Sequence, residues 1–182
     1  MRTAALLAAL SASPVPTPIG VGPAYHPLPL APAVRAAAPV AGLSCRHGAG
    51  SRYGVHVELF ANRRVVIVPA GIGIAPPHRL DGAYVRGGRC SYAVRTRAPT
   101  GVVEVLRGSR LSLGDLFSIW GRPLTRTRLA GFRSAAGLVA FVDGRRWNGD
   151  PRAIPLRRHA EIVLEIGGFV PPHRSFLFGN GL

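Results

Sequence analysis

The chain has 182 residues, a hydrophobic content of 47% and a formal net charge of +15. That length supports one domain with a real core, and the ordinary hydrophobic fraction excludes a wholly disordered or collagen-like chain. Every one of the 23 basic residues is arginine. Arg, Ala, Gly and Pro all have GC-rich codons, so base composition accounts for much of the charge, which is weak grounds for a nucleic-acid partner.

Met1 to Thr3, an apolar run from Ala4 to Leu10 and the small residues Ser11 to Ser13 have the layout of a short signal segment over residues 1–13. No stretch approaches the ~18 uninterrupted apolar residues of a membrane span. Residues 14–44 are dominated by Pro, Ala, Gly and Val with neither helical nor strand period. Proline repeatedly removes backbone donors there, which predicts an extended, disordered linker, with His26 solvated. The folded domain is then expected over residues 45–182.

Val55 to Phe60 and Val65 to Val68 form the first predicted hairpin, turning at Asn62-Arg63. Its register places Val57, Leu59, Val66 and Val68 on one face. His56, Glu58, Phe60, Val65 and Ile67 take the other. Both faces are partly apolar, so both should be covered. Gly71-Ile72-Gly73 follows a strand but lacks the third glycine and the helix of a phosphate loop, so it reads as a tight turn.

Tyr92 to Arg97 and Val102 to Leu106 form a second hairpin through Ala98-Pro99-Thr100-Gly101. Pairing Arg97 with Val102 puts Arg95 opposite Glu104, with Arg97 on the same face. Ser112 and Asp115 resemble a capping box. Leu113, Leu116, Phe117 and Trp120 then make a helical apolar stripe that Gly121 and Pro123 end. Residues from Arg122 to Arg133 have no regular period and read as an exposed basic loop. A third hairpin joins the strand Leu138 to Val142, through Asp143-Gly144, to Arg145-Arg146-Trp147. A last strand covers Ala160 to Ile166, with Glu161, Val163 and Glu165 on one face. The tail carries Phe169, Phe176 and Phe178, and either lies over the domain or frays. The order suits an α+β fold, a single small mixed sheet crossed by one helix, β-grasp-like with an inserted hairpin.

Cys45 and Cys90 fit neither a zinc knuckle nor a redox pair. In an exported chain they are expected to form a disulfide. An exported or cell-surface location is the corresponding expectation, cytoplasmic the alternative.

Several segments share one pattern: His56 to Leu59, Ile67 to Ile74, Cys90-x-Tyr92, Arg95 to Arg97, Gly101 to Val105, Leu113 to Phe117, and Trp120-Gly121. Over residues 45–166 this resembles a family of small, mostly uncharacterised prokaryotic proteins, many of them exported. That family reads H-x-H-L, I-P-x-x-I-G-I, C-x-Y-x-L-H-T-H-D, G-x-I-H-V-E and T-L-G-x-F-F-x-x-W-G. The resemblance implies a metal-binding histidine cluster on one sheet face, because histidines at i and i+2 of a strand converge. Here Glu58, Arg95, Arg97 and Glu104 stand where the pattern has histidine, Ala98 replaces its aspartate, and only His56 is kept. Arginine stays protonated and offers no lone pair. The substituted set therefore reads as an ion-pair cluster of His56, Glu58, Arg95, Arg97 and Glu104, with no metal and no cofactor.

Three functions compete. The first is a non-catalytic exported domain, a degenerate member of that family. The second is a binder of anionic polymers or membrane headgroups through Arg122, Arg126, Arg128, Arg133, Arg145, Arg146, Arg152, Arg157 and Arg158, with no specific nucleic-acid motif in support. The third is a metal-binding protein or metal-dependent enzyme using His56, Glu58, Glu104 and His159.

Overall fold

The computed structural model describes residues 23–48 and 50–182. The signal segment and residues 14–22 of the expected linker lie outside them. In chain order the elements are β1 (Ala24–Tyr25), α1 (Pro32–Ala36), β2 (Arg52–Ala61), β3 (Arg64–Val66), β4 (Arg79–Asp81), β5 (Tyr84–Gly87), β6 (Val94–Thr96) and β7 (Val102–Leu106). There follow α2 (Leu113–Trp120), β8 (Leu124–Thr125), β9 (Arg128–Leu129), β10 (Phe132–Arg133), β11 (Leu138–Val142), β12 (Arg145–Trp147), a short 3₁₀ turn (Pro151–Ala153) and β13 (Glu161–Ile166).

The main sheet is mixed and is built on β2. Along its first half β2 pairs antiparallel with β7, Gly54 facing Glu104. At its far end it pairs with β3 through a two-residue turn in which Asn62 (φ 51°) and Arg63 (φ 61°) are both left-handed. That conformation matches the twist of the flanking strands, although arginine is an unusual occupant. On its other side β2 runs parallel to β13, with His56 beside Glu161, Glu58 beside Val163 and Phe60 beside Glu165. The sheet continues through β11 and β12, joined by a similar left-handed turn at Asp143-Gly144. The outer strand β6 pairs with β7 in the expected register, Arg95 opposite Glu104.

One face of this sheet carries Val55, Val57, Leu59, Val103, Val105, Ile162 and Leu164, all buried in a single core with Leu113, Leu116, Phe117 and Trp120 of α2. The helix starts as its sequence predicts: the Asp115 carboxylate accepts from the Ser112 backbone N–H at 2.8 Å and its hydroxyl at 2.9 Å. It ends at Gly121 in the left-handed conformation (φ 72°).

Two expectations are corrected. The described part of the linker is packed. Val34 of α1 is fully buried, β1 pairs parallel with β3, and the Tyr92 hydroxyl donates to Ala38 O. Pro32 at the first turn of α1 and apolar residues at the right spacing outweigh the proline-rich composition. The basic stretch from Arg122 is likewise not a loop. Its strands β8, β9 and β10 form a small antiparallel sheet, anchored by buried Leu124 and Leu129. Such two-residue strands are too short for an alternation to register.

The expected disulfide joins Cys45 to Cys90. For its 45-residue separation the chain-entropy model assigns a stabilisation of about 4 kcal/mol. Among the described residues no helix is long and apolar enough to cross a membrane.

Candidate functional site

The face of the sheet opposite α2 would normally meet solvent. Here it carries all four glutamates of the chain, Glu58, Glu104, Glu161 and Glu165, and each is buried. Register places them together: Glu104 is opposite Gly54, Glu161 beside His56 and Glu165 beside Phe60, and Gly54, His56, Glu58 and Phe60 alternate along one side of β2. Half of the chain's eight acidic residues are thus withdrawn from water onto one face.

The C-terminal tail provides much of the cover. Phe176 stacks on the His56 ring at 3.7 Å between centroids, Phe178 stacks on His159 at 4.7 Å, and the two phenylalanines meet edge to face. Gly54 admits this strap, since a Cβ there would lie 2.5 Å from the Phe178 ring. A glycine inside a strand weakens it unless something approaches closely, and here an aromatic ring does.

The expected five-residue cluster is divided in two. One part holds Glu104, which binds both arginines: Arg95 Nε and Nη2 at 2.9 and 2.8 Å on one carboxylate oxygen, and Arg97 Nε on the other. Behind it lies buried Arg52, donating to the carbonyls of Tyr92 and Ala93, both at 2.9 Å. Burial, reinforced by the charge of Arg95, pushes the Arg52 guanidinium down to about 10.

The other part holds His56 and Glu58, but their partners come from elsewhere. His56 Nδ1 lies 2.8 and 2.7 Å from the two carboxylate oxygens of Glu161. Its Nε2 lies 3.2 Å from Thr100 O. A carbonyl oxygen only accepts, so Nε2 carries the hydrogen and donates it. Glu58 faces His173 of the tail, whose Nδ1 is 2.8 and 2.9 Å from its two oxygens. Ligand atoms of His56, Glu58 and Glu161 all lie within 4.8 Å of one another. Burial raises the Glu161 carboxyl above the usual carboxylate range, and the nearby Glu58 charge adds to this while His56 opposes it. The bond to Glu58 and its charge raise the His173 imidazole. Two buried carboxylates this close are compensated by a proton held on a carboxyl, by protonated imidazoles or by a cation.

Arg95 and Arg97 are engaged by Glu104 rather than by His56 or Glu58. The set His56, Glu58, Glu104 and His159 does not assemble either: His159 Nε2 contacts Leu182 O at 2.8 Å, in the exposed tail. Glu161 and His173 were missed. Glu161 carries two weak signals, its spacing two residues from His159 and its face shared with Glu165, whereas His173 carries none.

The expected basic surface is dispersed. Arg126, Arg133, Arg145, Arg146, Arg157 and Arg158 are exposed. Arg128 and Arg133 face each other across β9 and β10. Arg122 donates to Pro29 O at 2.8 Å, Arg152 Nη2 to the Ser118 hydroxyl at 3.4 Å, and Arg157 lies 3.5 Å from Asp143. Arg145 and Arg146 are adjacent in a strand and so project to opposite faces.

Compared with family models, with curated proteins and with solved structures, the chain finds no match.

Proposed function

We propose that this chain is an exported, non-catalytic domain that binds one divalent transition-metal ion. His56, Glu58 and Glu161 are its ligands, and His173 closes the site from the tail. The observation that carries this reading is the convergence of three buried ligand residues within 4.8 Å. Two ligands of one ion lie at most about 4.2 Å apart when each bond is about 2.1 Å, so small side-chain adjustments complete the site. The Thr100 carbonyl holds His56 by its Nε2–H and leaves Nδ1 directed at Glu161. This is the outer-shell arrangement that orients a metal-binding imidazole. Mixed imidazole and carboxylate donors suit zinc, iron or manganese. Phe176 over His56 supports storage or structure rather than turnover, because it covers the ring that a substrate would have to approach. The disulfide supports export.

The fold belongs to the same proposal. Parallel central neighbours β2 and β13, each flanked by a hairpin partner and crossed by α2, support a β-grasp-like arrangement in which β6 and β7 are the inserted hairpin. Membership of the exported family with the H-x-H-L pattern is proposed alongside it, supported by the common face of positions 56, 58, 95 and 104.

A second reading rests on the paired contacts themselves: protonated His56 on Glu161 and protonated His173 on Glu58, with no metal. Elemental analysis of untagged protein, purified without chelator, separates the two. One bound ion per chain, lost in His56→Ala and in Glu161→Gln, is expected. Protein that carries no ion, and whose melting temperature does not rise with added zinc, manganese or iron(II), refutes the metal reading and leaves the ion pairs.

A further inference from the structure

A recess of about 460 Å³ lies beside the disulfide, with Arg95, the partner of Glu104, in its wall. Arg46, Arg79, Arg86, Arg89, Arg95 and His47 line it. Ile74 and the disulfide's Cys90 are its apolar lining. Its charge is only partly compensated. Arg86 donates to Asp81 through Nε at 2.8 Å, and Arg95 is taken by Glu104. Arg89 donates to a carbonyl, Arg35 O, at 3.2 Å, which satisfies a donor without neutralising the charge. Arg46 and Arg79 have no carboxylate partner among the described residues. Three guanidinium charges are therefore left over in one concave place.

The backbone that carries two of these groups is also fixed. Arg46 follows Cys45 and Arg89 precedes Cys90, so the disulfide joins the backbones that carry them. The bridge between Arg46 and Ser91, with both N–H···O distances 2.9 Å, fixes the same spot. On the opposite wall the Arg79 guanidinium lies where a side chain at Gly87 would be, since a Cβ there would be 2.5 Å from its Nη2. A fixed backbone removes part of the ordering cost of binding, and the side chains supply the rest of the fit.

We propose that this recess is a binding site for a small ligand carrying a diphosphate, with Arg46, Arg79 and Arg89 as its principal contacts. Guanidinium groups bind phosphoryl oxygens bidentately, and a diphosphate brings about three negative charges near neutral pH to match the three uncompensated arginines. The volume exceeds what a diphosphate occupies, leaving room for the group it is esterified to. This site is separate from the proposed metal centre and stands or falls independently of it.

Isothermal titration with sodium pyrophosphate at low salt tests the proposal. Inorganic phosphate and sulfate serve as comparison ions, and an Arg145→Ala/Arg146→Ala variant as a charge-matched control. Saturable pyrophosphate binding is expected, weakened about tenfold or more by Arg46→Ala/Arg79→Ala and by less than about twofold in the control. Both arginines of the recess variant are exposed, so their loss leaves the core intact, and a melting curve verifies this. Arg79→Gln, which removes one charge and keeps bulk, should show an intermediate loss. Equal losses in the recess and control variants, phosphate or sulfate binding as tight as pyrophosphate, or no saturation would each overturn the site.

Discussion

Replacing Glu165 with leucine should stabilise the protein. Glu165 is 2% exposed, and its carboxylate makes no well-formed hydrogen bond among the described residues, only a weak contact with the Val170 backbone. Its neighbours across the sheet are Phe60 and Val139, beside an apolar cluster of Phe60, Val65 and Val163. Burial raises its carboxyl above the usual range, with the Val170 backbone opposing the shift. A buried carboxylate so poorly partnered costs about 1–3 kcal/mol, and replacing buried ionic groups with hydrophobic residues of similar volume typically stabilises by up to about 4 kcal/mol. Glu165→Leu should therefore gain about 2–4 kcal/mol at pH 7.5. The gain should also depend on pH. The folded-state pKa is raised, so as pH rises from about 4.5 the unfolded chain releases this proton before the native state does. Native protein then holds more protons, and wild-type stability falls through that window. Leucine removes this loss, so the difference between variant and wild type should grow from pH 4 to pH 7.5. Urea denaturation at both pH values measures it. A variant less stable than wild type at pH 7.5, or a gain that is the same at both pH values, would refute the argument.

Trp120→Ala should cost about 3–5 kcal/mol in the same assay, because the ring is fully buried against the sheet. Trp120→Phe should cost much less, since it also removes a buried Nε1–H that has no partner among the described residues. A cost below about 1 kcal/mol for the alanine variant would place the ring outside the core. Around Glu104, removal of the carboxylate should cost about 3 kcal/mol or more because Arg95 is left poorly solvated, whereas Arg97→Ala should cost less than about 1 kcal/mol because that side chain is 37% exposed. A double-mutant cycle on Arg95 and Glu104 should give a coupling of about 1–2 kcal/mol; additive effects would mean that the pair contributes nothing beyond its separate members.

Local chemistry determined much of this molecule. The turns at Asn62-Arg63 and Asp143-Gly144, the pairing of Arg95 with Glu104, the stripe of α2 with its Asp115 cap, and the two-sided burial of β2 all follow from short-range spacing, which the backbone geometry of strands and helices converts directly into faces and registers. The short strands β8 to β10 and the packing of residues 23–44 were not determined in this way, because two-residue strands have no period and a proline-rich segment is ordered only by the surface it meets. The site was decided by tertiary structure alone. His56 and Glu161 are 105 residues apart and meet because β13 inserts parallel to β2; Glu58 and His173 are 115 residues apart and meet because the tail folds back across the sheet. Parallel pairing leaves no turn in the sequence to set its register, and the tail is placed by aromatic contacts with Gly54, His56 and His159 rather than by any pattern of its own. The sequence therefore showed which strands carry charge on a buried face, and only the long-range register decided which charges face one another.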